Sequence, residues 1–226
     1  WVVHAAIATS MTTIIFTSMS SVRAHHAKRA IRWDIVMAMA PGIVLGGLLS
    51  GGAVFAHVGG AGLALFFALF VGYSGIRMFQ GRKQVEGRVM PGRPVMFAAG
   101  TGIGFISGLV GAGGGFLSVP FMVRGNVPVH NAVATSAALG FFIAVANSVG
   151  YIYSGFTVVS GRPGMLGYIY WPALLAVSAA SVITAPLGAK CAHSLPVSTL
   201  RRVFACFLMV LAAYMLYQAV MQYRLG

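Results

Sequence analysis

The chain has almost no acidic side chains. Asp34 and Glu86 are its only two carboxylates in 226 residues, and neither falls deep within an apolar run. That excludes the carboxylate relay common in proton pumps and an acidic ring that selects cations. Cysteine is equally scarce. Cys191 and Cys206 have no CxxC spacing, so neither a metal site nor a redox pair is indicated. No Walker sequence, zinc spacing or nucleophile elbow occurs, so nothing supports an enzyme, and no cofactor is expected. Charged residues make up 8% of the chain against 58% hydrophobic. A soluble domain carries far more charge.

What remains is a series of apolar runs, several of which approach or exceed the ~20 residues needed to cross a bilayer. They are continuous rather than alternating, which excludes a transmembrane barrel. The expected fold class is all-α: a polytopic helical membrane protein with one membrane domain. Lys and Arg number 15, for a net charge of +13. In a soluble protein that would suggest nucleic acid. Here the cations lie mainly in the gaps between apolar runs, as the positive-inside rule requires. The expected partners are therefore the lipid bilayer and a small anionic solute, not nucleic acid.

Helical runs are expected at 1–22, 34–55, 62–79, 130–153, 168–189 and 199–222, with a basic gap at 23–32 and a polar connector at 81–94. The remaining run, 95–123, is interrupted. It contains Gly111, Gly113, Gly114 and Gly115, followed by Pro120. Glycine pays the largest entropic cost in a helix, and proline lacks an amide donor. A break is expected here, with Pro120 contributing to it. Free amides at membrane depth are tolerated only inside protein or beside a wet cavity, and amides at a helix start attract anions.

An internal repeat is visible. Residues 3–10 (VHAAIATS) and 129–136 (VHNAVATS) agree at six of eight positions. The helices after each copy follow the same order, which divides the chain into a first repeat at 1–80, the connector 81–94 and a second repeat at 95–226. The second copy is preceded by the glycine-broken segment. The first is preceded by nothing, so a matching segment upstream of Trp1 is expected. Two repeats with an interrupted segment are typical of secondary transporters. Cation placement addresses their relative orientation. If 95–123 crosses once, Arg124, Lys190, Arg201 and Arg202 lie opposite the basic gaps. If it dips in and returns, only Arg162 and Arg224 do, which obeys the rule better. Inverted repeats are therefore favoured over parallel ones.

The run 104–120 (GFISGLVGAGGGFLSVP), followed by 132–136 (AVATS), resembles the TauE/SafE family of sulfite and organosulfonate exporters. That family carries G-x-x-G-x-G-G-G-x-x-x-V-P and then A-x-x-T-S, twice. The second copy is complete here, and the first begins at Ala6-Ile7-Ala8-Thr9-Ser10. The resemblance covers essentially the whole chain. It implies a permease of the bacterial inner membrane that exports small sulfur-containing anions.

Several residues are candidates for binding such a solute. Gly111, Gly113, Gly114 and Gly115 could offer amides, or could instead serve close helix packing. Thr135 and Ser136, with Thr9 and Ser10, could offer hydroxyls, or could bond back to the preceding turn. Asn147 lies about three helical turns beyond Ser136 on nearly the same face, and either lines the cavity or bonds between helices. Ser107 and Ser118 flank the cluster. His4 and His130 are the only ionisable groups repeated between the halves. They could carry a coupling proton or simply begin their helices. The competing function is a non-transporting membrane scaffold, whose small-residue faces receive partner helices.

Overall fold

The computed structural model describes residues 2–50, 60–80, 89–110, 113–159 and 163–225. Gly111, Ala112, Glu86, Arg162 and most of the connector 81–94 lie outside the described residues, as does most of the turn expected at 57–61. Helices α1 (Val2–His26), α2 (Trp33–Leu49), α3 (Gly60–Phe79), α4 (Arg93–Val110), α5 (Gly115–Arg124) and α6 (Val129–Val159) come first in the chain. A short hairpin, β1 (Met165–Leu166) and β2 (Ile169–Tyr170), leads into α7 (Trp171–Ser194) and α8 (Val197–Leu225). Among the described residues, four helical stretches are long and apolar enough to cross a membrane: His4–His26, Val129–Phe156, Trp171–Ser194 and Val197–Tyr217.

Helix α6 is the central post. Of its membrane-length window, 67% is buried, against 11% for α7 and 22% for α8. The two C-terminal helices thus turn most of their apolar surface outward, with Ile183, Leu187, Phe207 and Val210 exposed. An apolar exterior on this scale suits lipid, not water.

Helices α1 and α6 run antiparallel. Near the start of α1, the Tyr170 amide just beyond α6 donates to Thr9 Oγ1 at 2.9 Å. Further along, Thr12 and Ser148 share a hydrogen bond of 2.9 Å. Beyond the end of α1, Asn131 in the first turn of α6 donates to the Ala30 carbonyl at 2.8 Å. Helices α2 and α4 instead run parallel and touch backbone to backbone. Gly100 lies against the Met39 carbonyl, Gly104 against that of Ile43, and Gly46 against that of Thr101. Small residues at four-residue spacing permit this approach, and any Cβ on those glycines would strike a neighbouring peptide.

The interrupted segment dips in and returns. Gly125, just after α5, lies against Met90, just before α4. Both therefore sit at the same end of the fold. Helix α5 has 10 residues, about 15 Å at helical rise and too short to cross a membrane. Pro120 lies inside α5 without ending it. The expected contribution of Pro120 to the break is thus corrected: the chain turns between Val110 and Gly115, within the glycine run. Proline removes only one donor, and α5 continues past it to Arg124.

The helix expected from residue 168 begins at Trp171. Residues 165–170 form the hairpin instead, with Leu166 opposite Ile169. Gly167, at φ 56°, supplies the positive torsion that its two-residue turn needs. Pro172 then occupies the first turn of α7, where its missing amide has no helical partner to lose.

Candidate functional site

The site is built around the break. Gly114 caps α5 in the left-handed region, at φ 70° and ψ −7°. Its carbonyl accepts from the Leu117 amide at 3.0 Å and the Ser118 amide at 2.9 Å. The amides of Gly113, Gly114 and Gly115 therefore precede the helical ladder. A side chain at Gly114 would meet Ile143 and come within 3.1 Å of Ser107 Oγ. At Gly115, an added Cβ would lie 3.1 Å from Ser136 Oγ.

Ser136 and Ile143, which flank the break, are 7 and 14 residues from Val129 at the head of the 31-residue α6. At helical rise those offsets are about 10 and 21 Å along the helix.

Two hydroxyls near the break lack partners. Ser107 and Ser118 are fully buried, and neither Oγ has a hydrogen-bond partner among the described residues. Buried hydroxyls are normally satisfied, because an unmet one costs about 1–3 kcal/mol. Ser107 lies beside the capping glycine. Asp34 pairs with Arg32 at 2.7 Å on the exposed surface.

The remaining candidates are distributed elsewhere. Asn147, fully buried, accepts from Ser50 Oγ at 2.8 Å and donates to the Ile143 carbonyl at 2.8 Å. It fills the crossing of α2, α4 and α6, against Gly47 and Gly108. Thr135 Oγ1 accepts the Arg32 amide at 3.0 Å, as Thr9 Oγ1 accepts that of Tyr170. Thr9, Ser10 and Thr13 face a separate cavity of about 660 Å³ between α1, the hairpin and α7, walled by Met165, Tyr170 and Val177. His4 stacks on Tyr168 at 5.6 Å. His130 shares a 3.1 Å hydrogen bond with the Leu195 carbonyl and stacks on His193 at 5.7 Å. The two histidines thus sit near opposite ends of the α1–α6 pair. Gly111 lies outside the described residues.

One participant escaped the sequence reading. Tyr151, fully buried, donates from its hydroxyl to the Gly108 carbonyl and ties α6 to the last turn of α4. Its place near the end of a helical run was visible, but nothing in the sequence paired it with Gly108. The glycines at 100, 104 and 108, by contrast, carried a readable four-residue period.

Comparison with known proteins shows the family. Residues 1–215 match the family model described as Sulfite exporter TauE/SafE. A probable membrane transporter protein of Haemophilus influenzae is 34% identical over 218 residues, covering 93% of this chain and 80% of that protein. One from Methanocaldococcus jannaschii is 26% identical over 221 residues, covering 93% and 78%. The probable membrane transporter protein MamO of Magnetospirillum gryphiswaldense is 25% identical over 247 residues, covering 91% of this chain but 37% of its own. No solved structure gives a significant match. The chain is an integral membrane protein and belongs to the sulfite exporter TauE/SafE family of membrane transporters.

Proposed function

We propose that this chain is a secondary transporter that exports small sulfur oxyanions, sulfite or organosulfonates, across the bacterial inner membrane. The observation that carries the reading is the re-entrant break. Gly114 lies beside the Ser107 hydroxyl and Gly115 beside that of Ser136, and the amides of Gly113–Gly115 precede the helical ladder of α5. An oxyanion accepts from amides and hydroxyls without a full positive charge opposite it. The oxygens of Thr9 and Thr135 already accept backbone amides, so Ser136, beside Gly115, is the better solute contact.

The two halves are read as inverted repeats that rock about this site. The antiparallel course of α1 and α6, which carry the two copies of the repeated octapeptide, supports that reading. Placing the loop after α1 in the cytoplasm puts Arg23, Lys28, Arg29, Arg124 and Lys190 on that side, as the positive-inside rule favours. Export then needs no coupling ion. An inside-negative potential of 100 mV is worth about 2.3 kcal/mol per charge, enough to expel a monoanion.

The test is anion-dependent thermal stabilisation of the purified protein, followed by flux in proteoliposomes. Sulfite or an organosulfonate such as taurine or sulfoacetate should raise the melting temperature and cross the bilayer. If sulfite, sulfate, thiosulfate, taurine and sulfoacetate all leave the melting point unmoved, the scaffold reading replaces this one.

A further inference from the structure

The two hydrogen bonds to Thr9 and Thr135 form a matched pair. Arg32 immediately precedes α2 and Tyr170 immediately precedes α7, and each is followed by tryptophan, Trp33 and Trp171. Their backbones are nearly superposable, at φ −88°, ψ 86° and φ −91°, ψ 100°. Neither residue caps its helix with its own side chain. A threonine oxygen takes the amide instead, at 3.0 Å from Thr135 and 2.9 Å from Thr9. Both threonines are buried.

The pairing is crossed. Thr9, early in the chain, holds the head of α7; Thr135, late in the chain, holds the head of α2. The two contacts also lie at opposite ends of the α1–α6 pair, since Thr135 sits near the loop that follows α1 and Thr9 near the hairpin that follows α6. The two threonines occupy the same place in the repeated octapeptide, and the next residues, Ser10 and Ser136, are not engaged in this way. In each copy the threonine oxygen thus meets a helix head in the opposite half of the chain.

We propose that Thr9 and Thr135 are matched positioning residues, one near each membrane face, that clamp the heads of α7 and α2 and so set the rate at which the halves rearrange. The rate claim rests on the transporter reading above. The clamp claim stands on geometry alone.

Hydrogen exchange by mass spectrometry on the purified full chain tests the clamps, and sulfite efflux from proteoliposomes tests the rate. Thr135→Val should speed exchange at Arg32 about tenfold, the factor equivalent to ~1.4 kcal/mol, and leave Tyr170 protected. Thr9→Val should do the converse. Thr→Ser at either position keeps the oxygen and should restore both protection and flux, which separates loss of the clamp from misfolding. Each valine variant should lower the maximal efflux rate several-fold while half-saturation by sulfite stays put. Faster exchange at both amides in one variant, or at neither, overturns the clamps. The expected exchange pattern with unaltered efflux overturns the rate claim. A wild-type protein that shows the exchange pattern but carries neither sulfite nor taurine sinks the transporter reading and upholds the clamps.

Discussion

Gly115 and Ser136 face each other so closely that a methyl group on the glycine would lie 3.1 Å from the serine oxygen. Among the described residues, apart from its own chain neighbours and helix backbone, nothing else stands within reach of that methyl. The contact joins the first residue of α5 to the central post.

Gly115→Ala intrudes on the space beside Ser136 without demanding an unusual backbone. We predict a folded protein, with a melting temperature within a few degrees of wild type, and sulfite flux reduced at least several-fold. Flux at the wild-type level would show that the space beside Ser136 is not used.

Gly114 is different, because its φ of 70° lies where side chains are strained. An alanine there costs about 1–2 kcal/mol from the backbone alone, and its Cβ also meets Ile143. Denaturant or thermal unfolding of Gly114→Ala should show this loss. Stability equal to wild type would mean that the cap does not adopt this conformation.

Ser107 offers a cleaner dissection. Its hydroxyl is buried without a partner, so Ser107→Ala should leave the anion-free protein as stable as before, or slightly more so. The same variant should weaken sulfite-dependent stabilisation. A variant that destabilises the anion-free protein by more than ~1 kcal/mol would reveal a structural bond that the account lacks.

Asn147 should behave in the opposite sense. Both ends of its amide are engaged, and Asn147→Ala removes that polar link between helices at the crossing of three of them, leaving Ser50 only the Gly47 carbonyl as acceptor. We predict a loss of about 1–3 kcal/mol with or without anion. An anion-dependent loss would return Asn147 to the solute site.

Much of this was legible in the chain itself. Continuous apolar runs predict a helical membrane protein, and the glycine run at 111–115 marks the interruption, because helices cannot bear that much backbone entropy cheaply. Composition could not tell Pro120 from those glycines as the cause of the break. Only coordinates show that the proline falls inside α5, where a single lost donor is tolerated. Asn147 left two readings open, since a helical wheel fixes a face but not the residue opposite, here Ser50. The hairpin at 165–170 was hidden because Tyr168, Ile169 and Tyr170 are as apolar as the helix they precede. Thr9 and Thr135 stood out by repetition, yet their partners, the amides of Tyr170 and Arg32, lie 161 and 103 residues away. Periodicity carries no signal over such separations.

The most direct test is to locate the anion. Crystals or lipid-phase samples of the full chain soaked in selenite, a heavier analogue of sulfite, should give an anomalous selenium peak beside Gly113–Gly115, between Ser107 and Ser136. A peak in the cavity between α1 and α7, or no ordered selenium in a sample that still transports sulfite, would contradict the account.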